Sequence, residues 1–150
     1  PNEIAPKSLE GGQFSVPFAA ALAALRGAEA FRPLRPHFLS DPEVVQLAQK
    51  VEIRYPDEFA GIFPQRTPAR VTMVVGAREL AVDVPRPLGD ANNPMGQSAV
   101  EDKLYDLGRD ILALAELEKL IQSVPLLRQG KIAPLLACLT AQPVAVRQTA

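Results

Sequence analysis

The sequence predicts an α+β fold in which a small antiparallel sheet packs against several helices. An apolar stretch over residues 16–27 carries start and stop signals for a helix, and two alternating segments flank Gly76 in the middle of the chain. After residue 97, apolar residues recur at helical spacing in further segments. Helices that precede and follow a hairpin, rather than alternating with single strands, are typical of the α+β class.

The first helix is predicted between Ser15 and Gly27. Ser15 is a preferred N-cap, Pro17 lies in the first turn where its missing N–H is not needed, and Gly27 suits the position after the helix. The segment is apolar on every face, so we interpret it as the central core helix. A membrane span would need about 20 apolar residues, and this segment is too short to be one. Gly11 and Gly12 before it predict a flexible turn, or alternatively a turn that brings N–H groups near an anion.

The next segments predict a helix that runs directly into a strand. Ser40 or Asp41 can cap a helix whose first residue is Pro42. Apolar residues then recur at helical spacing at Val44, Leu47, Ala48 and Val51. Residues 51–55 alternate between apolar and charged side chains, which predicts a strand.

Residues 70–75 and 79–84 give the clearest strand signals in the chain. Gly76 marks a tight turn between them, so the two segments predict an antiparallel hairpin. One face of the second strand is apolar, and its side chains are Leu80, Val82 and Val84.

A capping box predicts the start of the next helix, because Ser98 is followed three residues later by Glu101. This helix is expected to continue past Gly108 as far as Ile111, since one glycine costs only about 1 kcal/mol in a helix. Asp106 is expected on its solvated face, together with Glu101 and Asp102.

Two further helices are predicted, over residues 114–124, ending before Pro125, and over residues 132–139. The whole chain, 1–150, is predicted to form a single domain. Its predicted parts are a core over about 8–140, an extended leading segment over 1–7 and a trailing end over 143–150.

Composition excludes several classes of function. The net charge of −1 provides no electrostatic basis for binding nucleic acid or an anionic membrane. With 47% hydrophobic and 22% charged residues, the chain resembles an ordinary globular protein. Its one cysteine, Cys138, cannot form an internal disulfide, which favours a reducing compartment, and we expect the cytoplasm.

No catalytic residue, metal ligand or cofactor is predicted from the residues. His37 is the only histidine, so an imidazole pair for a metal cannot form, and we interpret it as a loop residue. Cys138 is interpreted as a small, buried thiol rather than a nucleophile. Asp102 and Asp106 lie at helical spacing, which a solvated helix face explains better than paired acid–base carboxylates.

Several segments, in order, carry a resemblance to a known family. They are Glu10 with Phe14-Ser15 opening an apolar helix that ends in Leu-x-Gly, Asp41-Pro42-Glu43-Val44 with Leu47 and Lys50-Val51-Glu52, and Gly89 through Asn93-Pro94-Met95 with Glu101 and Lys103-Leu104. In this order they resemble the second domain of MmgE/PrpD enzymes. That family includes 2-methylcitrate dehydratase, cis-aconitate decarboxylase and iminodisuccinate epimerase.

The resemblance implies that this chain is the small α+β domain, which accompanies a large helical first domain. The family chemistry is proton abstraction beside a carboxylate, followed by elimination of water, decarboxylation or epimerisation. Its catalytic histidines, lysine and aspartate lie mainly in the helical domain, so the resemblance gives no catalytic role to any residue here. The implied partners are that helical domain, in the same or a separate chain, and a polycarboxylate substrate. A homodimer of the chain is left open as a further assembly.

Two stretches place polar side chains on what we expect to be irregular backbone, residues 7–13 and 89–97. Lys7, Gln13 and Asn93 are the candidate substrate-binding residues at the edge of the cleft. The simpler explanation is that Asn93 serves turn chemistry and Lys7 is solvated.

The residues and the resemblance leave two functions open. The first is the small domain of a lyase or isomerase that covers an active site carried by the helical domain. The alternative is a stand-alone, non-catalytic interaction module derived from that fold. In both cases the chain alone is expected to be inactive.

Overall fold

The computed structural model describes residues 2–140, and the predicted trailing end over 143–150 lies outside them. Its contacts divide the chain into a helical unit, residues 2–51 with 97–140, and a hairpin unit, residues 52–96. Within residues 2–140 the structure contains six α-helices and two strands: α1 Leu9–Phe14, α2 Val16–Arg26, α3 Pro42–Ala48, β1 Ala69–Val75, β2 Arg78–Val84, α4 Gln97–Gly108, α5 Leu114–Leu127 and α6 Ala133–Leu139. The α+β class is confirmed. That residues 1–150 form a single domain, with a core over about 8–140, stays a prediction.

Helix α2 forms the centre of the helical unit, as its sequence predicted. The Ser15 hydroxyl accepts a hydrogen bond from the Phe18 N–H at 3.4 Å, and the Gly27 N–H donates to the Ala23 carbonyl at 2.9 Å. Gly27 has a φ of 79°, a left-handed conformation that favours glycine. The core around α2 consists of Phe18, Ala21, Leu22, Ala30, Leu34, Val44 and Ala48.

The junction between α2 and α3 combines a helix cap with ion pairs. Asp41 caps α3 by accepting from the N–H groups of Glu43 at 3.0 Å and Val44 at 3.4 Å, as predicted. Arg26, in the last turn of α2, binds the Asp41 carboxylate at 2.8 Å and the Glu43 carboxylate at 2.5 Å. The cation at the end of one helix and the carboxylates at the start of the next also suit both helix dipoles.

The prediction of a flexible turn at the glycine pair is wrong, because both glycines lie in helix α1. The Ser8 hydroxyl caps this helix by accepting from the Gly11 N–H at 3.0 Å. Gly12 is buried, and a β-carbon placed on it would come within 3.0 Å of Leu39 and 3.2 Å of Phe18. The pair therefore serves close helix packing, which outweighs the low helix propensity of glycine.

The strand predicted over residues 51–55 is also wrong, since this segment has no regular structure. A strand is stabilised by hydrogen bonds to a neighbour, and in the described chain β1 and β2 pair only with each other. Alternation of side chains without a partner strand does not fix extended structure.

The hairpin has the predicted antiparallel register. Val71 lies opposite Val82 and Met73 opposite Leu80, which places apolar side chains on one face of the sheet. A two-residue turn joins the strands, and Gly76 adopts a φ of 62° in it. Every residue of both strands is exposed. The residues of the buried core all lie in the helical unit.

Helix α4 ends at Gly108, not at Ile111 as predicted. A β-carbon at position 108 would lie 2.5 Å from the side chain of Leu117, which is completely buried on α5. The chain thus turns where only glycine leaves room for the next helix. Asp106, predicted to face water, is half-buried, and its carboxylate lies 3.6 Å from Arg32.

Two further details of the C-terminal helices differ from the predictions. Ser98 is the second residue of α4, and the Glu101 carboxylate accepts from the Gln97 side chain at 2.8 Å instead of closing a capping box. Helix α5 continues through Pro125 to Leu127. Proline removes one hydrogen bond there, only two residues before the end, so the helix loses little. The helix predicted over 132–139 is confirmed as α6.

The two glycines of α1 allow a matched test of the packing. Gly12→Ala should lower the free energy of unfolding by about 1–3 kcal/mol relative to Gly11→Ala. Both changes gain the same helix propensity, but only the first places a methyl group against Leu39 and Phe18, whereas the second meets Ser8 at 3.2 Å. Urea unfolding of both variants measures the difference. Equal stability would contradict the packing of α1.

The cap of α3 predicts a pH dependence. Hydrogen bonds from Arg26, and then from the Val44 and Glu43 N–H groups, lower the pKa of Asp41. A carboxylate with a lowered folded pKa stabilises the protein above its unfolded pKa of about 3.9, and this contribution is lost as the pH falls through the folded value. Asp41→Asn keeps the capping oxygen but not the charge.

The wild type should therefore exceed Asp41→Asn in stability at neutral pH, and this advantage should shrink as the pH falls below about 4. Urea midpoints measured from pH 7 downwards give the comparison. Asp102→Asn, at an exposed site on α4, serves as the control and should run parallel to the wild type. Parallel curves for Asp41→Asn would show that the ion pair contributes nothing.

Candidate functional site

The first predicted binding stretch is mostly helical, which corrects the expectation of irregular backbone over residues 7–13. Lys7 is exposed and directly precedes Ser8, the cap of α1. Gln13 is exposed near the other end of the same short helix. The two candidate residues thus both lie in the helical unit, Lys7 just before α1 and Gln13 in its last turn.

The start of α2 is not an open anion site. Ser15 is only 1% exposed and satisfies the Phe18 N–H, while its own hydroxyl donates to the Glu3 carbonyl. Pro17 has no N–H to offer. At this helix start the Phe18 N–H is therefore satisfied and Pro17 lacks one, so a role of Lys7 in binding an anion would rest on its own ammonium group.

The second binding stretch contains a closed loop in the hairpin unit. The Gly89 N–H donates to the Asn93 carbonyl, and the Asn93 N–H donates to the Asp90 carbonyl, both at 2.8 Å. The Asn93 side-chain amide donates to the Arg86 carbonyl at 3.2 Å. Gly89 adopts a φ of 97°, which only glycine does without strain. We call residues 86–93 the Arg86 loop.

Asn93 therefore has a structural duty that the sequence left open. Its side chain is half-buried, and its amide is used to hold the backbone of Arg86. Asp90 is similarly engaged, because its carboxylate accepts from the Asn92 N–H at 2.7 Å. The turn chemistry proposed as the simpler explanation of Asn93 is what the contacts show.

Arg86 is the residue of this loop that the sequence interpretation missed. Its guanidinium lies 3.5 Å from the Asp90 carboxylate, and its Nη1 atom is buried without a hydrogen bond to any described residue. The side chain is 29% exposed, so another part of the guanidinium reaches solvent. An arginine four residues before an aspartate in a loop rich in proline and glycine was the only sequence signal for it.

A small cleft of about 340 Å³ lies between α5 and α6. Cys138 lines it and is half-buried, and its thiol donates to the Pro134 carbonyl at 3.2 Å. Lys119 lies on the other side and binds the Glu116 carboxylate at 2.6 Å, a hydrogen bond that raises the pKa of Lys119. The charged groups of Lys119 and Glu116, which both line the cleft, thus bind each other.

The predicted residues do not form an acid–base set within either unit. His37 is exposed and packs against Phe38, with the ring centroids 4.2 Å apart. Over residues 2–140, no group of three or more histidine, cysteine, aspartate or glutamate side chains is placed to hold a metal ion. No helix in the same range is long and apolar enough to cross a membrane.

Over the described residues the fold is of the α+β class, with Lys7 and Gln13 exposed on the helical unit and the Arg86 loop on the hairpin unit. The chain belongs to the MmgE/PrpD C-terminal domain family, whose pattern matches residues 1–126. This match confirms the resemblance seen in the sequence and ends within α5, before α6 begins. No curated protein and no solved structure matches the chain.

The bond between Asn93 and Arg86 is testable through a neighbouring asparagine. Asn93→Ala should lower the free energy of unfolding by about 0.5–1.5 kcal/mol, because a partly buried hydrogen bond is lost. It should also speed amide exchange at Gly89. Asn92→Ala, at an exposed position, should change stability by less than about 0.5 kcal/mol. If both variants behaved alike, Asn93 would not hold the loop.

Proposed function

We propose that this chain is the small C-terminal domain of an MmgE/PrpD-type lyase or isomerase that acts on a polycarboxylate. In this proposal it covers an active site whose acid and base groups lie on a helical first domain, in the same or a separate chain. The family match over residues 1–126 is the observation that carries the proposal. The reaction, whether dehydration, decarboxylation or epimerisation, follows from the catalytic domain and not from this one.

The chemistry of the described residues supports a covering role. Proton abstraction beside a carboxylate needs a base within hydrogen-bond reach of the substrate and a group that stabilises the developing negative charge. The one histidine is exposed beside Phe38. The carboxylates of Asp41, Asp83 and Glu116 are committed to arginine or lysine partners. These three carboxylates stabilise the fold, and in this proposal the proton transfer falls to the helical domain.

Exposed apolar side chains support the proposal of a partner domain. On α1 and α2, Phe14 is 65% exposed and Val16 is 54% exposed, although they lie beside the most buried part of the chain. Large apolar side chains at the surface are often interaction sites when they are contiguous. A helical domain or a second copy of the chain would bury such residues.

Lys7, Gln13 and Asn93 remain the proposed substrate-binding residues. Lys7 and Gln13 are exposed polar groups, and a lysine ammonium attracts carboxylates as a point charge. Asn93 would act less directly, since its amide already holds the Arg86 carbonyl. In this role the three residues tune binding and do not transfer protons.

The proposal predicts that the chain alone has no activity and gains it from the helical domain. The purified chain is incubated with 2-methylcitrate, citrate and cis-aconitate, alone and with the helical domain encoded in the same or a neighbouring reading frame. The chain alone should show no turnover, and the combined sample should turn over faster than a control sample of the helical domain alone. Turnover by the chain alone would overturn the covering role. A silent mixture of two folded proteins would favour the non-catalytic module.

In the combined enzyme, Lys7→Ala and Gln13→Ala should raise KM and leave kcat unchanged, because they remove binding groups that act before the chemical step. Asn93→Ala should raise KM as well. Lys131→Ala, which removes a lysine beyond the family match, is the control. Steady-state kinetics measures all four variants. If KM and kcat were unchanged throughout, these residues would have no part in the site.

A further inference from the structure

We propose that Arg86, held by the Arg86 loop, binds a carboxylate group of the substrate. This inference rests on the proposed function, because it names a contact of this domain with the same polycarboxylate. Arg86 lies in the hairpin unit, whereas Lys7 and Gln13 lie in the helical unit, so the inference about Arg86 does not depend on those two residues.

The loop orders the backbone of Arg86 before any ligand arrives. Its backbone is closed by bonds between Gly89 and Asn93, between Asn93 and Asp90, and between Asp90 and Pro87. The Asn93 amide adds a bond to the Arg86 carbonyl itself. A binding residue on a loop that is already ordered loses little conformational freedom on binding, which favours affinity.

The electrostatic state of Arg86 is incomplete within the described chain. A charge-assisted bond between a guanidinium and a carboxylate is usually about 2.7–2.9 Å long, whereas Arg86 lies 3.5 Å from Asp90. The Asp90 oxygen at that distance already accepts from the Asn92 N–H at 2.7 Å. By contrast, Arg70 binds Asp83 through two nitrogens, at 2.6 and 3.2 Å. Arg86 therefore retains charge for a further anion, and its guanidinium nitrogens other than the buried Nη1 retain the donors.

Arginine chemistry points to a carboxylate as that anion. The planar guanidinium offers paired N–H donors that match the two oxygens of a carboxylate. Asp90 counteracts this attraction, since its negative charge lies beside the same guanidinium. The contact is therefore expected to be weak for a single carboxylate and stronger for a ligand that carries several.

The test is citrate binding to the whole chain by calorimetry at low, matched ionic strength. Citrate should bind the wild type, and Arg86→Gln should weaken binding by about tenfold, the loss expected for one charge-assisted contact. Arg78→Gln removes an exposed arginine of the same unit and should leave binding unchanged. Asp90→Asn keeps the oxygen that accepts from Asn92 but loses the competing charge, so citrate should bind about threefold more tightly.

Other outcomes overturn the inference. They are an absence of citrate binding to the wild type, an equal loss in Arg78→Gln, or inorganic phosphate binding as tightly as citrate through Arg86. If circular dichroism shows that Arg86→Gln does not fold, the citrate affinity of Asp90→Asn decides the question. An affinity equal to that of the wild type would then overturn the inference. The experiment needs no helical domain. Citrate bound through Arg86, combined with an inactive mixed enzyme, would therefore overturn the proposed function alone.

Discussion

Burial of the apolar surface of α2 is the constraint on which the helical unit depends. Phe18 and Leu22 are completely buried, and burying such side chains contributes roughly 1.5–3 kcal/mol each. α1 can lie against them because Gly12 brings its backbone close, and α3 contributes Val44 to the same core. The caps at Ser15 and Asp41 then fix where each helix begins, so the arrangement follows from where bulky and small residues meet.

The sequence predicted those parts of the fold that local chemistry decides. Ser15, Gly27 and Asp41 act through groups a few residues away, and the hairpin around Gly76 needs only its own two strands. Several of the failures involve distant partners, whereas the capping box at Ser98 failed locally, because Glu101 accepts from Gln97 instead. Gly12 is helical because residues from elsewhere pack on it, and the segment over 51–55 lacks the neighbour that a strand requires. α4 ends at Gly108 because the side chain of Leu117, nine residues further along, leaves no room for a β-carbon there.

The candidate site was less predictable for the same reason. The sequence singled out Asn93 as a candidate binding residue but did not reveal its hydrogen bond to Arg86, because that bond spans seven positions within an irregular loop. Arg86 was passed over, since an arginine in a turn-rich segment is usually solvated. Only the hydrogen-bond geometry separates it from Arg70, whose charge is fully paired across the hairpin.

The hairpin has a consequence for how the chain behaves outside its natural assembly. In the described chain each strand has a neighbour on one side only, so both are edge strands with unpaired backbone groups along their outer sides. A two-stranded sheet is marginally stable by itself in water, and exposed edges are templates for pairing with other chains. The ion pairs of Arg70 with Glu58 and Asp83 place charge beside one face of this surface. Self-association through strand pairing is thus the characteristic hazard when this domain is handled in isolation.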